Sequence, residues 1–373
     1  MLTVLSVCGT RADAVKMAPV IKALEQHTDR VRPVVCVTGQ HREMLAHVLS
    51  LFAIKPDYDL DVMEPDQSLS RLAARLITAL DEVVEQTQPD WILAAGDTST
   101  VFAASLVAYH HRAKFGHVEA GLRTGNKYHP YPEEIYRRLS DVIADAAFAP
   151  TEHARQNLLR EHYPEQNIYI TGNPVVDALL DVTHRPYDWD SGPLAALPRD
   201  GRIVLVTAHR RESFGAPFRE LCLAIRDLAG AFEGENVHFV YPVHLNPNVQ
   251  RPVRELLSDV PNLTLLDPLD YLSLAHLLKR AALVLTDSGG LQEEAPALGV
   301  PVLVMRNTTE RPEGLEAGVA RLVGTERDQI VAEAARLLRD PDAHAAMVHP
   351  ANPYGDGQAA RRIVSIILGQ GAS

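Results

Sequence analysis

Short β-rich apolar runs alternate with helical patterns along this chain: Thr3 to Val7, Val34 to Thr38, Trp91 to Ala95, then Ile203 to Thr207, His238 to Val243, Leu263 to Leu266, Leu283 to Thr286 and Val302 to Met305. Such an alternation implies parallel sheets with helices on both faces. It also begins twice, because VLSVCGTRADAVK (Val4 to Lys16) and VLVTAHRRESFG (Val204 to Gly215) each break from a strand into a polar, cationic turn. Between the halves lies a stretch punctuated by Pro174, Pro186, Pro193 and Pro198, which reads as the connection. At 373 residues, 46% hydrophobic and 23% charged, the chain is too long for one ordinary core. The sequence therefore predicts an α/β protein of two Rossmann-like, doubly wound domains facing a cleft, residues 1–172 and 173–353. After the turn-rich NPYGDG, the segment Gln358 to Leu368 reads as a helix with Ile363, Ile366 and Ile367 on its apolar side.

Composition narrows the partners. The opening MLTVLSVCG has no basic leader region and already reads as a strand, and no apolar run approaches the about 18 residues of a membrane span. A cytoplasmic protein without membrane contact is expected. Cys8, Cys36 and Cys222 lack the paired spacing of a zinc site or a disulfide framework and read as reduced core thiols. A net charge of -12 argues against nucleic acid, so an anionic ligand must be met by local cations.

One segment asks for such a ligand. In AALVLTDSGGLQEE (Ala281 to Glu294) a strand turns through Asp287, Ser288, Gly289 and Gly290 into a helix start. The glycines allow close backbone approach, Ser288 offers a hydroxyl, and the helix amides favour negative charge. Glu294, one turn on, would repel a phosphate but suits the hydroxyls of a ribose. Together they suggest a nucleoside diphosphate; the plainer alternative is a tight turn followed by a solvated carboxylate.

Carboxylates at loop positions supply the second theme. Asp97 follows the strand at Trp91 to Ala95, Glu119 follows the apolar stretch around Val118, and Glu133 and Glu134 follow a Pro-Tyr-Pro turn. Facing a cleft, such groups act as general acids or bases. Asp97 could equally be a helix cap, and Glu134 reads as a solvated helix residue. Cations gather at strand ends: Arg11 and Lys16 in the first half, His209, Arg210 and Arg211 in the second, and Arg311 in TTERPE. A departing diphosphate would be stabilised there. His117-Val118-Glu119 lacks the Pro-Cys-x-x-Cys of a zinc deaminase, Asp57 to Asp61 fails as a calcium loop at Val62 and Ser68, and His110-His111 lacks partners at metal-ligand spacing. With neither a Walker lysine motif nor GxGxxG, no metal, nicotinamide or other cofactor is expected.

Taken in order, GTRADAVKMAP, TGQHREML, GDTSTVFAASL, GHVEAGLRTG, YPEEIYRR, TGNPVVDALL, TAHRRESFG, YPVHLNPNV, TDSGGLQEEAPALGVPVLVMRNTTERPE and NPYGDG resemble the non-hydrolysing bacterial UDP-N-acetylglucosamine 2-epimerases over nearly the whole chain. The resemblance implies a glycosyltransferase-B-like fold, a C-terminal helix (354–373) returning to the first domain, and a homodimer. It implies reversible conversion of UDP-N-acetylglucosamine to UDP-N-acetylmannosamine, a precursor of surface polysaccharides, by elimination of UDP to a 2-acetamidoglucal and re-addition. Carried over by motif, Asp97, Glu119 and Glu133 are the acid–base candidates, and His209 with Arg11, Lys16 and Arg311 would hold the diphosphate. Ser288, Gly289, Gly290 and Glu294 match the UDP-binding motif, with Leu269 and Leu274 near the uracil. Gln40, His41 and His244 match residues of a regulatory substrate site. The family commonly reads GTRPE where this chain has Gly9-Thr10-Arg11-Ala12-Asp13. The rival readings are a hydrolysing relative that releases N-acetylmannosamine and UDP, a UDP-sugar glycosyltransferase, and a UDP-sugar sensor without catalysis.

Overall fold

The computed structural model describes residues 1–39, 42–64, 66–210, 213–348 and 352–369. Seven strands, β1 (Leu2–Cys8), β2 (Val31–Val37), β3 (Tyr58–Asp59), β4 (Trp91–Ala95), β5 (Lys114–Val118), β6 (Ala146–Ala149) and β7 (Ile168–Ile170), form one sheet among the described residues. Six more, β8 (Arg202–Thr207), β9 (Val237–Pro242), β10 (Leu263–Leu266), β11 (Ala281–Thr286), β12 (Val302–Val304) and β13 (Ala320–Leu322), form a second. The orders are β3-β2-β1-β4-β5-β6-β7 and β10-β9-β8-β11-β12-β13, with parallel pairing throughout. Both sheets therefore reverse their winding at one point, between β1 and β4 and between β8 and β11. Doubly wound sheets bind ligands beyond such switch points.

The two compact units are Met1–Ala178 with the segment from Tyr354 onward, and Leu179–Pro353. The division falls inside the helix Pro174–His184, slightly C-terminal of the boundary read from the sequence. Pro174 opens that helix, where its missing N–H costs nothing.

Apolar runs fill each sheet's core. In the first unit Leu5, Val7, Ile92, Ala94, Val101 and Phe115 pack together; in the second, Val204, Val206, Phe239, Tyr241, Leu283 and Leu285 do so. Cys8, Cys36 and Cys222 are buried free thiols. Burial pushes Cys36 and Cys222 up to about 12, which leaves them protonated and unreactive.

Among the described residues the C-terminal helix spans Ala359–Ile367, and it packs on the helix Arg11–Glu25. Its apolar side comprises Ile363, Val364 and Ile367, whereas Ile366 is half-buried. Asp177 accepts the N–H groups of Ala359 (3.2 Å) and Ala360 (2.9 Å), which fixes the helix start. The segments around Gly172 and Gly355 lie backbone against backbone. A Cβ on Gly172, whose φ is +83°, would sit 3.1 Å from the Gly355 Cα, so a side chain there would be strained in its backbone and crowded against the facing chain.

Candidate active site

In the first unit, β1 ends at Cys8 and the chain turns through Gly9-Thr10 into the helix that Arg11 opens. Thr10 accepts the Asp13 N–H, while Asp13 accepts the N–H groups of Thr10 (3.1 Å) and Gly9 (3.2 Å). This is a capping box, closed here by an aspartate. Thr98, in the loop after β4, donates its hydroxyl to Asp13 at 3.1 Å. The two loops flanking the switch point are thereby tied together. Burial raises the Asp13 pKa despite opposition from Lys16 and these hydrogen bonds.

Glu119 follows β5 in the left-handed region, with φ +67°, and is buried. Its Oε2 pairs with Lys16 and its Oε1 accepts from Asn173 Nδ2 at 2.9 Å. Asp97 follows β4 and pairs with Arg137, which also lies 3.5 Å from Glu134. Asp97 remains partly exposed, at 26% of its side chain. Glu133 is half-buried at the start of the helix Glu133–Ile143.

Glu134 is not a solvated helix residue: it is fully buried and accepts the N–H groups of Thr124 (3.1 Å) and Gly125 (3.2 Å). The loop after β5 lacks a sheet partner for these amides, and the carboxylate satisfies them. A second buried network also escaped sequence reasoning. His117 Nδ1 meets Asp141 at 2.6 Å and Nε2 meets the Gly96 carbonyl at 2.7 Å, while Arg123 bonds the other Asp141 oxygen at 2.7 Å. Burial works against charge on His117, but the Asp141 carboxylate and the Gly96 carbonyl outweigh it, so its pKa is raised. The partners reach across 18 to 24 residues, beyond any local pattern.

In the second unit, the N–H groups of His209 (2.7 Å) and Arg210 (2.8 Å), just after β8, both donate to Asp287, just after β11. Asp287 thus binds the two loops at this switch point. The His209 ring is half-buried and stacks on His244 with centroids 5.2 Å apart; His244 is exposed. Ser288 occupies the N-cap position of the helix Gly289–Ala297, and its hydroxyl makes no capping bond.

Arg311 is buried against that helix start. A Cβ on Gly289 would lie 2.6 Å from its guanidinium, so the glycine leaves the room at the helix start that the arginine occupies. Glu293 and Glu310 (2.6 Å) fix the guanidinium, and Arg306 pairs with Glu310 at 3.0 Å. Glu294 is buried and accepts the Tyr271 hydroxyl at 2.8 Å. Leu269 is buried and Leu274 half-buried on either side of Tyr271 in sequence. Gln40 and His41 lie outside the described residues. Among the described residues no helix is long and apolar enough to cross a membrane, and no group of three His, Cys, Asp or Glu side chains could hold a metal ion.

Two parallel sheets of one winding, with helices between their strands, define a glycosyltransferase-B-like protein. The family model described as UDP-N-acetylglucosamine 2-epimerase matches residues 22–368. The UDP-N-acetylglucosamine 2-epimerase of Salmonella typhimurium is 50% identical over 372 residues, covering 98% of each chain. The crystal structure of the Neisseria meningitidis enzyme bound to UDP-N-acetylglucosamine is similar with a TM-score of 0.93 and 44% identity, over 99% of this chain and 100% of that one. The Methanocaldococcus jannaschii enzyme, in complex with UDP-N-acetylglucosamine and UDP, is similar with a TM-score of 0.84 and 30% identity, over 98% of this chain and 99% of that one. The chain belongs to the UDP-N-acetylglucosamine 2-epimerase family.

Proposed function

We propose that the protein interconverts UDP-N-acetylglucosamine and UDP-N-acetylmannosamine without hydrolysing them. The observation that carries this reading is the full-length likeness to enzymes of that name, on a chain whose strand ends present ion-paired carboxylates. The hydrogen at sugar carbon 2 is not beside a carbonyl, so its removal alone would leave an unstabilised carbanion. Loss of UDP solves the problem. A base takes the carbon 2 proton, the C–H electron pair becomes the C1=C2 double bond, and the C1–O bond breaks to release UDP. UDP then returns to carbon 1 while a proton arrives at carbon 2 on the opposite face.

Two faces need more than one acid or base, and Asp97, Glu119 and Glu133 are the groups assigned to this traffic. Arg11, Lys16, His209 and Arg311 meet the charge that grows on the leaving diphosphate. Arg311 suits that task because Glu293 and Glu310 fix its fork before ligand arrives. Ser288, Gly289 and Gly290 meet the diphosphate at the helix start, Glu294 the ribose, and Leu269 and Leu274 the uracil. The protein works as a cytoplasmic homodimer in the supply of polysaccharide precursors, with a regulatory role for Gln40, His41 and His244.

Proton NMR of the protein with UDP-N-acetylglucosamine in deuterated buffer tests the reaction. UDP-N-acetylmannosamine carrying deuterium at carbon 2 is expected. Free N-acetylmannosamine plus UDP would make the protein a hydrolase, and an unchanged spectrum would defeat the proposal.

A further inference from the structure

We infer that Asn173 is a positioning residue for Glu119, its side-chain amide fixing where the carboxylate points; the inference rests on the acid–base role proposed for Glu119. Asn173 is fully buried, immediately before the helix that begins at Pro174. Its Oδ1 accepts the Val175 N–H at 3.2 Å, and its own N–H donates to the Tyr354 carbonyl at 2.7 Å. Because Oδ1 takes a backbone donor, the orientation of the amide is determined, and the NH2 group faces Glu119 Oε1 at 2.9 Å. Lys16 serves the other carboxylate oxygen. Glu119 is therefore held between a cation and a neutral donor.

The helix alone does not call for an asparagine. Accepting the Val175 N–H needs only an oxygen, which aspartate supplies equally well at a helix start. The NH2 half of the side chain is explained by Glu119. The backbone bond to Tyr354, where the chain re-enters the first unit, anchors the donor independently of the loop that carries Glu119. Glu119 itself sits at a positive φ, so its loop holds the carboxylate in a backbone state few residues adopt, and Asn173 completes its placement from a separate segment.

Asn173→Asp tests the inference, because it keeps the volume and the Val175 acceptor while replacing the donor with an oxygen of like charge. With UDP-N-acetylglucosamine as substrate, kcat should fall by about tenfold or more with KM within about twofold, and the acid limb of the pH–rate profile should move up by about one pH unit as two carboxylates face each other. Asn173→Ala, which removes the donor without adding charge, should lower kcat and move that limb up by less than Asn173→Asp does. An Asn173→Asp profile that keeps the parental limb, at any kcat, overturns the inference. Glu119→Gln separates the two levels of argument. If it loses turnover while Asn173→Asp keeps the parental limb, only the positioning role fails; if Glu119→Gln turns over normally, the acid–base reading fails first.

Discussion

Glu119 combines a left-handed backbone, burial and an ion pair in one residue. A residue with a Cβ holds such a φ at a cost of about 1–3 kcal/mol, which the surrounding contacts must offset. Arg311 shows the same over-determination from the cationic side. Its fork is shared between Glu293 and Glu310, and it reaches the helix start through the gap at Gly289. Arg311→Lys keeps the charge but cannot bridge both carboxylates, so the dissociation constant for UDP should rise about tenfold or more. Calorimetric titration checks this, and unchanged affinity would remove Arg311 from the diphosphate site. The identity of these residues was legible because each follows an apolar strand in a polar or glycine-rich turn. Their partners were not. Asn173, Arg137 and Tyr271 sit 54, 40 and 23 residues from the carboxylates they bind, and single-sequence reading has no signal at that range. Glu134 was misjudged because a carboxylate that satisfies loop amides looks, in sequence, like any first-turn helix residue.

Elements were legible in proportion to their apolar length. The runs at β1, β4, β8 and β11 declare themselves, while β6 is Ala-Ala-Phe-Ala, β3 has two residues and β13 three, and such strands form only because a neighbour already presents its ladder. What locks the loop after β4 to β5 and to the helix Glu133–Ile143 is the buried His117–Asp141 pair. Burial alone would raise Asp141, but His117 and Arg123 together hold it below its ordinary 3.8, while His117 stands above its ordinary 6.5. The raised histidine contributes stability that is full below pH 6.5 and lost as pH climbs through its folded pKa. The lowered aspartate contributes stability that is full above pH 3.8 and lost as pH falls through its folded pKa. The urea midpoint should therefore be highest between these limits and decline on the alkaline side. His117→Gln should unfold at lower urea throughout and lose much of the alkaline slope; a variant with the parental slope would show that another group titrates there.

At the scale of the whole molecule, the double opening of the sequence translated into two sheets of the same winding, because each strand-to-turn break marks a switch-point loop. On the first unit, the packed helices Ser99–His111 and Glu133–Ile143 expose Tyr109 (69%), Leu139 (42%) and Val142 (80%). Exposed side chains of this size on neighbouring helices suit a twofold contact, where the same surface meets itself and each apolar group is covered once in each copy. The proposed homodimer should use this face. A carboxylate introduced at its most exposed apolar position would put a charge where that contact needs apolar surface to be buried. Val142→Asp should accordingly shift the molar mass by light scattering from about twice the 41.0 kDa chain to one chain, without loss of far-ultraviolet circular dichroism. A parental protein that already runs as one chain would sink the dimer, and a Val142→Asp variant that stays at twice the mass would move the contact to another surface.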